Sequence, residues 1–299
     1  MIYLGLIVDD DVLYSSREEH LARFEVVVFA NALNRSISAG NWRLHKMVLV
    51  PLDPEATKEL VFVKTERVGN FDVLFCLMGS LDDAVLGYQL LDAFHAKVTA
   101  VYQPSQLMSM SGGKAEILKQ LCDEAAVAVI EQLEGMDEIS GRKGSYPDVP
   151  PRIHYCGISS QGLPIASRMF DEEILQHLPP ELEMPGMSVR EYVETTLSAK
   201  CATIVMNSLI RAQANVQSLE LKVDDQHYHF IYFKDVGAYT VEMYGSGNPE
   251  GVERLFELVA QMIEDVPGIP PSFTGDLKPY APLKELLGHL PERLAERLG

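Results

Sequence analysis

Basic residues are scarce in this chain: 25 Lys and Arg stand against 43 Asp and Glu, giving a formal net charge of −18 and a pI near 4.8. Nucleic-acid binding needs a surface that neutralises phosphates, so this balance argues against it. Docking on an anionic membrane is disfavoured for the same reason. Long apolar runs are missing too. None approaches the ~20 residues that span a bilayer, so no direct membrane insertion is expected. Cysteine is sparse, and Cys76, Cys122, Cys156 and Cys201 each lie in an apolar segment far from the others. Without a C-x-x-C pair, zinc and redox readings lose their usual signature. The pattern suits buried free thiols in a reducing, cytoplasmic compartment. Met1-Ile2-Tyr3-Leu4-Gly5 lacks the basic flank and small-residue cleavage site of a signal peptide, and reads as a strand. Neither G-x-S-x-G nor H-E-x-x-H occurs. No catalytic residue, cofactor site or metal ligand is assigned on these grounds.

What is present is an ordinary globular balance, 47% hydrophobic and 23% charged over 299 residues, which is enough for two domains with substantial cores. Periodicity predicts strands at 2–8 and 12–14 around an Asp9-Asp10-Asp11 turn. Ser16-Arg17-Glu18-Glu19 fits the S-x-x-E capping box and predicts a helix start, with the stop near Gly40. Strands follow at 44–52, 59–65 and 71–78. A helix capped within Ser80-Leu81-Asp82-Asp83 comes next, then another over 114–133. The second half repeats the order. Strands at 153–158 and 163–170 flank a Ser159-Ser160-Gln161-Gly162 turn. An insertion with Pro179, Pro180 and Pro185 follows, and Ser188-Val189-Arg190-Glu191 opens a long helix to about 212. Strands are expected at 216–223, 227–233 and 236–244. In the first of these, Leu219, Leu221 and Val223 alternate with Ser218, Glu220 and Lys222, the half-buried pattern. Asn248-Pro249 supplies an N-cap and a first-turn proline for the last domain helix.

Both halves therefore read strand–strand–helix–strand–strand–strand–helix. The expected fold is α/β of the α+β type: two similar domains, each a five-stranded, mainly antiparallel sheet with helices packed on it. The boundaries are 1–136 for the first domain, 137–152 for a Gly-, Pro- and charge-rich linker, and 153–266 for the second domain. A proline-rich tail, 267–299, carries Leu283, Leu286, Leu287 and Leu290 at helical spacing, and Pro291 should kink or restart its helix.

This order of elements resembles the longin and roadblock group of small α/β domains, which share a profilin-like topology. The first domain, with two helices after its fifth strand, is closer to longin. In the second, Ile158-Ser159-Ser160-Gln161-Gly162-Leu163-Pro164-Ile165-Ala166-Ser167 is similar to the opening hairpin of roadblock domains, although no clear helix precedes it. The resemblance spans nearly the whole chain in topology and about ten residues in sequence. It implies a non-catalytic scaffold that pairs such domains. Its partners would be proteins: a small GTPase, or a longin/roadblock-type subunit in a homo- or hetero-dimer, in trafficking or signalling. The alternatives are a small-molecule sensor or an enzyme without a recognisable motif.

Two helices carry the candidate interface. The first central helix has one stripe of Leu21, Phe24 and Val28 and another of Val26, Phe29, Leu33 and Ile37. A helix lying on a sheet needs one stripe, so the second should be covered by its own chain or by a partner. The second central helix has a core stripe that includes Val193, Leu197, Cys201 and Val205. Beside it lies a face of small residues: Ser198, Ala199, Ala202, Thr203 and Met206. Small side chains permit close backbone approach, either in a helix–helix contact or on an ordinary half-exposed face. The glycine-rich 245–251 segment lacks the Lys-Ser/Thr of a phosphate loop and reads as a turn into the last domain helix. Ser111-Gly112-Gly113-Lys114 fails the Walker pattern for lack of an upstream glycine. His227 and His229 share a strand face without an evident third ligand.

Overall fold

The computed structural model describes residues 2–38, 41–81, 83–110, 113–134, 146–172, 175, 186–273 and 275–298. Gly40, the proline insertion at 179–185, Ser111-Gly112 and linker positions 137–145 lie outside the described residues. The described chain is mixed α/β with antiparallel strand pairing. It divides into two compact units. Unit 1 is Met1–Ala32, Leu44–Ser145 and Ser208–Asn215; unit 2 is Leu33–Arg43, Tyr146–Asn207 and Val216–Gly299. Each unit thus takes a short segment from the other half of the sequence, an exchange that contiguous boundaries do not contain.

Unit 1 holds strands β1 (Ile2–Val8), β2 (Asp11–Ser15), β3 (Arg43–Pro51, from Leu44 onward), β4 (Glu59–Val68) and β5 (Phe71–Gly79) in the spatial order β2-β1-β5-β4-β3. Helix α1 (Leu21–Ser38) runs between β2 and β3, its first part belonging to this unit. On β1, Ile2, Leu4, Leu6 and Val8 enter a core with α2 (Ala84–Thr99) and α4 (Gly113–Glu134), contributing Leu90, Phe94, Cys122 and Val129. The short α3 (Pro104–Leu107) lies between those helices. The alternate residue Gly5 faces α1, where an added Cβ would sit 2.8 Å from the Phe24 ring. Burial on both faces explains why β1 is an unbroken apolar run.

Unit 2 holds β6 (Arg152–Ser160), β7 (Leu163–Met169), β8 (Ala214–Lys222, from Val216 onward), β9 (Tyr228–Val236) and β10 (Tyr239–Ser246) in the order β8-β9-β10-β6-β7. Helix α5 (Val189–Asn207) covers one face. The opposite face receives α6 (Pro249–Glu264), α7 (Ala281–Gly288) and α8 (Leu290–Leu298). The leucine-bearing tail is therefore part of this unit's core: Tyr280, Leu283, Leu286, Leu287, Leu290 and Leu294 pack with Cys156, Ile158, Val241, Met243 and Phe256. The helix restarts at Pro291, in the first turn of α8.

The internal repeat reaches the level of turns and register. Numbering each unit's strands in chain order, both have the spatial order 2-1-5-4-3. Both first hairpins close with two left-handed residues, Asp9 and Asp10 in one and Gln161 and Gly162 in the other, the type I′ geometry that matches strand twist. Both then bulge at the same offset, where the register shifts between Leu6 and Ile7 and between Ile158 and Ser159. Both fourth-to-fifth hairpins turn on a glycine at positive φ, Gly69 and Gly237 (each 61°), between Val68 and Phe71 and between Val236 and Tyr239.

Capping corrects one expectation and supports three. Ser16 does not cap α1. Its Oγ accepts from the Leu4 amide at 3.0 Å, closing the β1–β2 edge, and a 3-10 turn at Glu18–His20 leads into the helix. Ser188 does form the box: its amide donates to Glu191 Oε2 at 2.9 Å, and its hydroxyl accepts from the Glu191 amide at 3.2 Å. Asp83 caps α2 and Asn248 caps α6, each accepting two first-turn amides.

Candidate functional site

Helix α5 presents two different faces. Val193, Leu197, Ser198, Cys201, Ala202, Ile204 and Val205 are buried, while Ala199 and Thr203 are exposed and Met206 is half-buried. Of the predicted small-residue face, Ala202 thus lies in the interior and Ala199 and Thr203 look outward. The Thr203 hydroxyl donates to the Ala199 carbonyl at 2.8 Å, turning its polar group back onto its own helix. On α1, Val26, Leu33 and Ile37 are buried and Phe29 is half-buried. From the other stripe Phe24 is buried, Val28 is half-buried and Leu21 is exposed. Leu33 and Ile37 belong to unit 2, where Lys200 Nζ donates to Ser36 Oγ and joins α5 to the last turns of α1.

Beneath α5 lies a buried polar layer that pattern reading missed. On β10, Tyr239, Val241 and Met243 face the apolar core, so the alternate residue Glu242 faces α5 with no solvent exposure. Ser198 Oγ lies 3.0 Å from its Oε1, Tyr155 Oη 3.3 Å from the same oxygen, and Ser159 Oγ 3.3 Å from Oε2. Burial pushes the Glu242 carboxyl up to about 8; the hydrogen bonds from Ser198, Ser159 and Tyr155 favour the charged form and offset only part of that. Gly157 makes the space: a Cβ there would come within 2.3 Å of Tyr155 Oη and 2.4 Å of Glu242 Oε1. Burial also raises the thiols of Cys156 and Cys201, with Glu242 adding to the effect, so neither is an activated nucleophile.

Further along the same strands, Asp171 Oδ2, His154 and Ser246 form a line. His154 Nδ1 is 2.5 Å from Asp171 Oδ2, and His154 Nε2 is 2.7 Å from Ser246 Oγ. A carboxylate only accepts, so Nδ1 carries the proton and Nε2 accepts from the serine hydroxyl. Beside them, Tyr244 Oη meets His229 Nδ1 at 2.6 Å, and the Trp42 ring stacks on His229 with centroids 4.3 Å apart. His229 is thus enclosed by aromatic rings, while His227 lies in the preceding turn, 2.8 Å from Asp224. No group of three metal-ligating side chains occurs among the described residues.

The order Asp–His–Ser invites a hydrolase reading, and the amides of the turn that follows Ser246 are engaged within the fold. The Asn248 amide donates to the Val149 carbonyl at 2.8 Å and the Gly247 amide to Tyr228 at 3.4 Å. The Glu250 and Gly251 amides go to the Asn248 side chain. His154 itself has no solvent exposure. The glycine-rich 245–251 segment is therefore a strand-to-helix turn whose amides are already satisfied.

No protein-family model matches this chain, and no curated protein matches it. One signal for the buried layer was available in the sequence: Glu242 interrupts an apolar strand, flanked by Val241 and Met243. Glu220, expected on the wet side of β8, is also buried, because Tyr146 closes over it and donates to Oε2 at 2.9 Å. Among the described residues, no helix is long and apolar enough to cross a membrane.

Proposed function

We propose that this chain is a non-catalytic protein-binding scaffold of the longin/roadblock type, engaging a small GTPase or a related domain-bearing subunit in trafficking or signalling. The observation that supports it is the repetition, in both units, of strand order 2-1-5-4-3 with a helix between the second and third strands. The resemblance rests on the order of elements along the chain, strand–strand–helix–strand–strand–strand–helix, and the shared turn and bulge positions favour duplication of one such domain. The contact candidates are the exposed Ala199 and Thr203 and the half-buried Phe29 and Met206. The test is affinity capture from native extract with the full chain, in GDP or a GTP analogue. Recovery of a small GTPase or a longin-like subunit supports the proposal; reproducible recovery of no protein counts against it.

One observation favours a second reading, an unrecognised hydrolase: the Asp171–His154–Ser246 line. The scaffold reading treats those bonds as a clamp joining β6, the end of β7 and β10. It expects no covalent labelling of Ser246 by a fluorophosphonate probe. Labelling abolished by Ser246→Ala would establish the enzyme instead.

A further inference from the structure

Unit 2 carries a surface groove of about 410 Å³ that the scaffold reading does not use. Its volume lies within the ~300–1,000 Å³ typical of small-ligand sites. One wall is α8, with Leu290, Leu294 and Leu298; the other is Leu255 of α6 with Ile153 and Phe170 at the strand ends. Leu298 is 56% exposed and Leu255, Ile153 and Phe170 are half-buried, so apolar surface lines an open cleft. Two charged residues reach it, Arg152 and Asp171. Asp171 is committed to His154 Nδ1 at 2.5 Å. Arg152 makes no side-chain hydrogen bond or ion pair among the described residues, so its guanidinium is open to a ligand at the rim of an apolar trough.

An apolar groove with a single free guanidinium is complementary to a molecule with an apolar chain and one anionic end. We propose that this groove binds a long-chain carboxylate, its alkyl chain along α8 and its carboxylate on Arg152. The guanidinium's planar fork matches a carboxylate with two parallel hydrogen bonds. The chain would be held by burial of methylenes against Leu255, Leu294 and Leu298. Affinity should then rise with chain length, roughly tenfold for each added pair of methylenes until the groove is filled. The inference does not rest on the scaffold reading, because it needs only unit 2 and a small molecule.

The experiment is calorimetric titration of the purified full chain with octanoate, decanoate, dodecanoate and decan-1-ol, each below its aggregation concentration. Expected are saturable binding that tightens from octanoate to dodecanoate and weaker binding of decan-1-ol than of decanoate. Arg152→Gln should weaken decanoate about tenfold while leaving decan-1-ol unchanged. Leu298→Asp, at an exposed position that folding tolerates, should weaken all four. Equal affinity for the acid and the alcohol, or full affinity in both variants, would overturn the assignment. So would absence of saturable binding, including the case where the groove takes only an apolar helix peptide. None of these outcomes bears on capture of a protein partner, so failure here and failure of the scaffold reading are separable.

Discussion

Replacing Glu242 with Gln should flatten part of the pH dependence of unit 2. The folded carboxyl titrates near 8 against an ordinary value of 4.5, because it is fully buried beneath α5. Between those values the folded chain holds a proton that the unfolded chain has released, so this group makes stability fall as pH rises. The slope approaches ~1.4 kcal/mol per pH unit inside that window. From pH 6 to pH 8 the two-state expression gives a loss of about 2 kcal/mol attributable to Glu242. Glutamine keeps the shape, its carbonyl accepting from one of Ser198 and Ser159 and its NH2 donating to the hydroxyl oxygen of the other, but it cannot ionise. The assay is urea unfolding followed by tryptophan fluorescence, which isolates unit 2 because Trp42, the single tryptophan of the chain, is buried there. The parent should lose about 2 kcal/mol relative to Glu242→Gln between pH 6 and pH 8. Parallel pH profiles for the two proteins would refute the reasoning, and would mean that Glu242 ionises freely in the fold.

Gly157→Ala places a Cβ against Tyr155 Oη and Glu242 Oε1. It should cost about 1–3 kcal/mol of overpacking, seen as a lower tryptophan-monitored midpoint at constant m-value. Leu287→Ala should cost about 2–5 kcal/mol in the same assay, because the tail helix is core and not an appendage. A change below 0.5 kcal/mol would place α7 outside the cooperative unit.

The strands were legible because their periodicity is strong: β1, β4, β5 and β10 lie within two or three residues of their expected bounds. The type of each long helix was legible for the same reason. Caps divided according to competition for the side chain. Ser188 has only its helix to serve and forms the box, whereas Ser16 is drawn to the free Leu4 amide at the hairpin edge. Long-range consequences were not legible. Period-two alternation places Glu220 on the face away from Leu219 and Leu221, and Glu242 on the face away from Val241 and Met243, but cannot show that Tyr146 or α5 lies on top of them. The Asp171–His154–Ser246 line joins residues 17 and 92 positions apart, and no local spacing encodes it. The small-residue face of α5 was visible as composition; its division into buried Ala202 and exposed Ala199 and Thr203 depends on what packs against the helix.

The central claim is that this chain acts by binding a protein, with a small GTPase the leading partner. Its most direct test is titration of the purified full chain against small GTPases recovered from the same source, each loaded in turn with GDP and with a GTP analogue. The account predicts saturable binding of at least one of them, with unequal affinity for the two nucleotide states and weakened binding for Thr203→Arg. Binding to none, or equal affinity in both states that Thr203→Arg leaves unchanged, would contradict it.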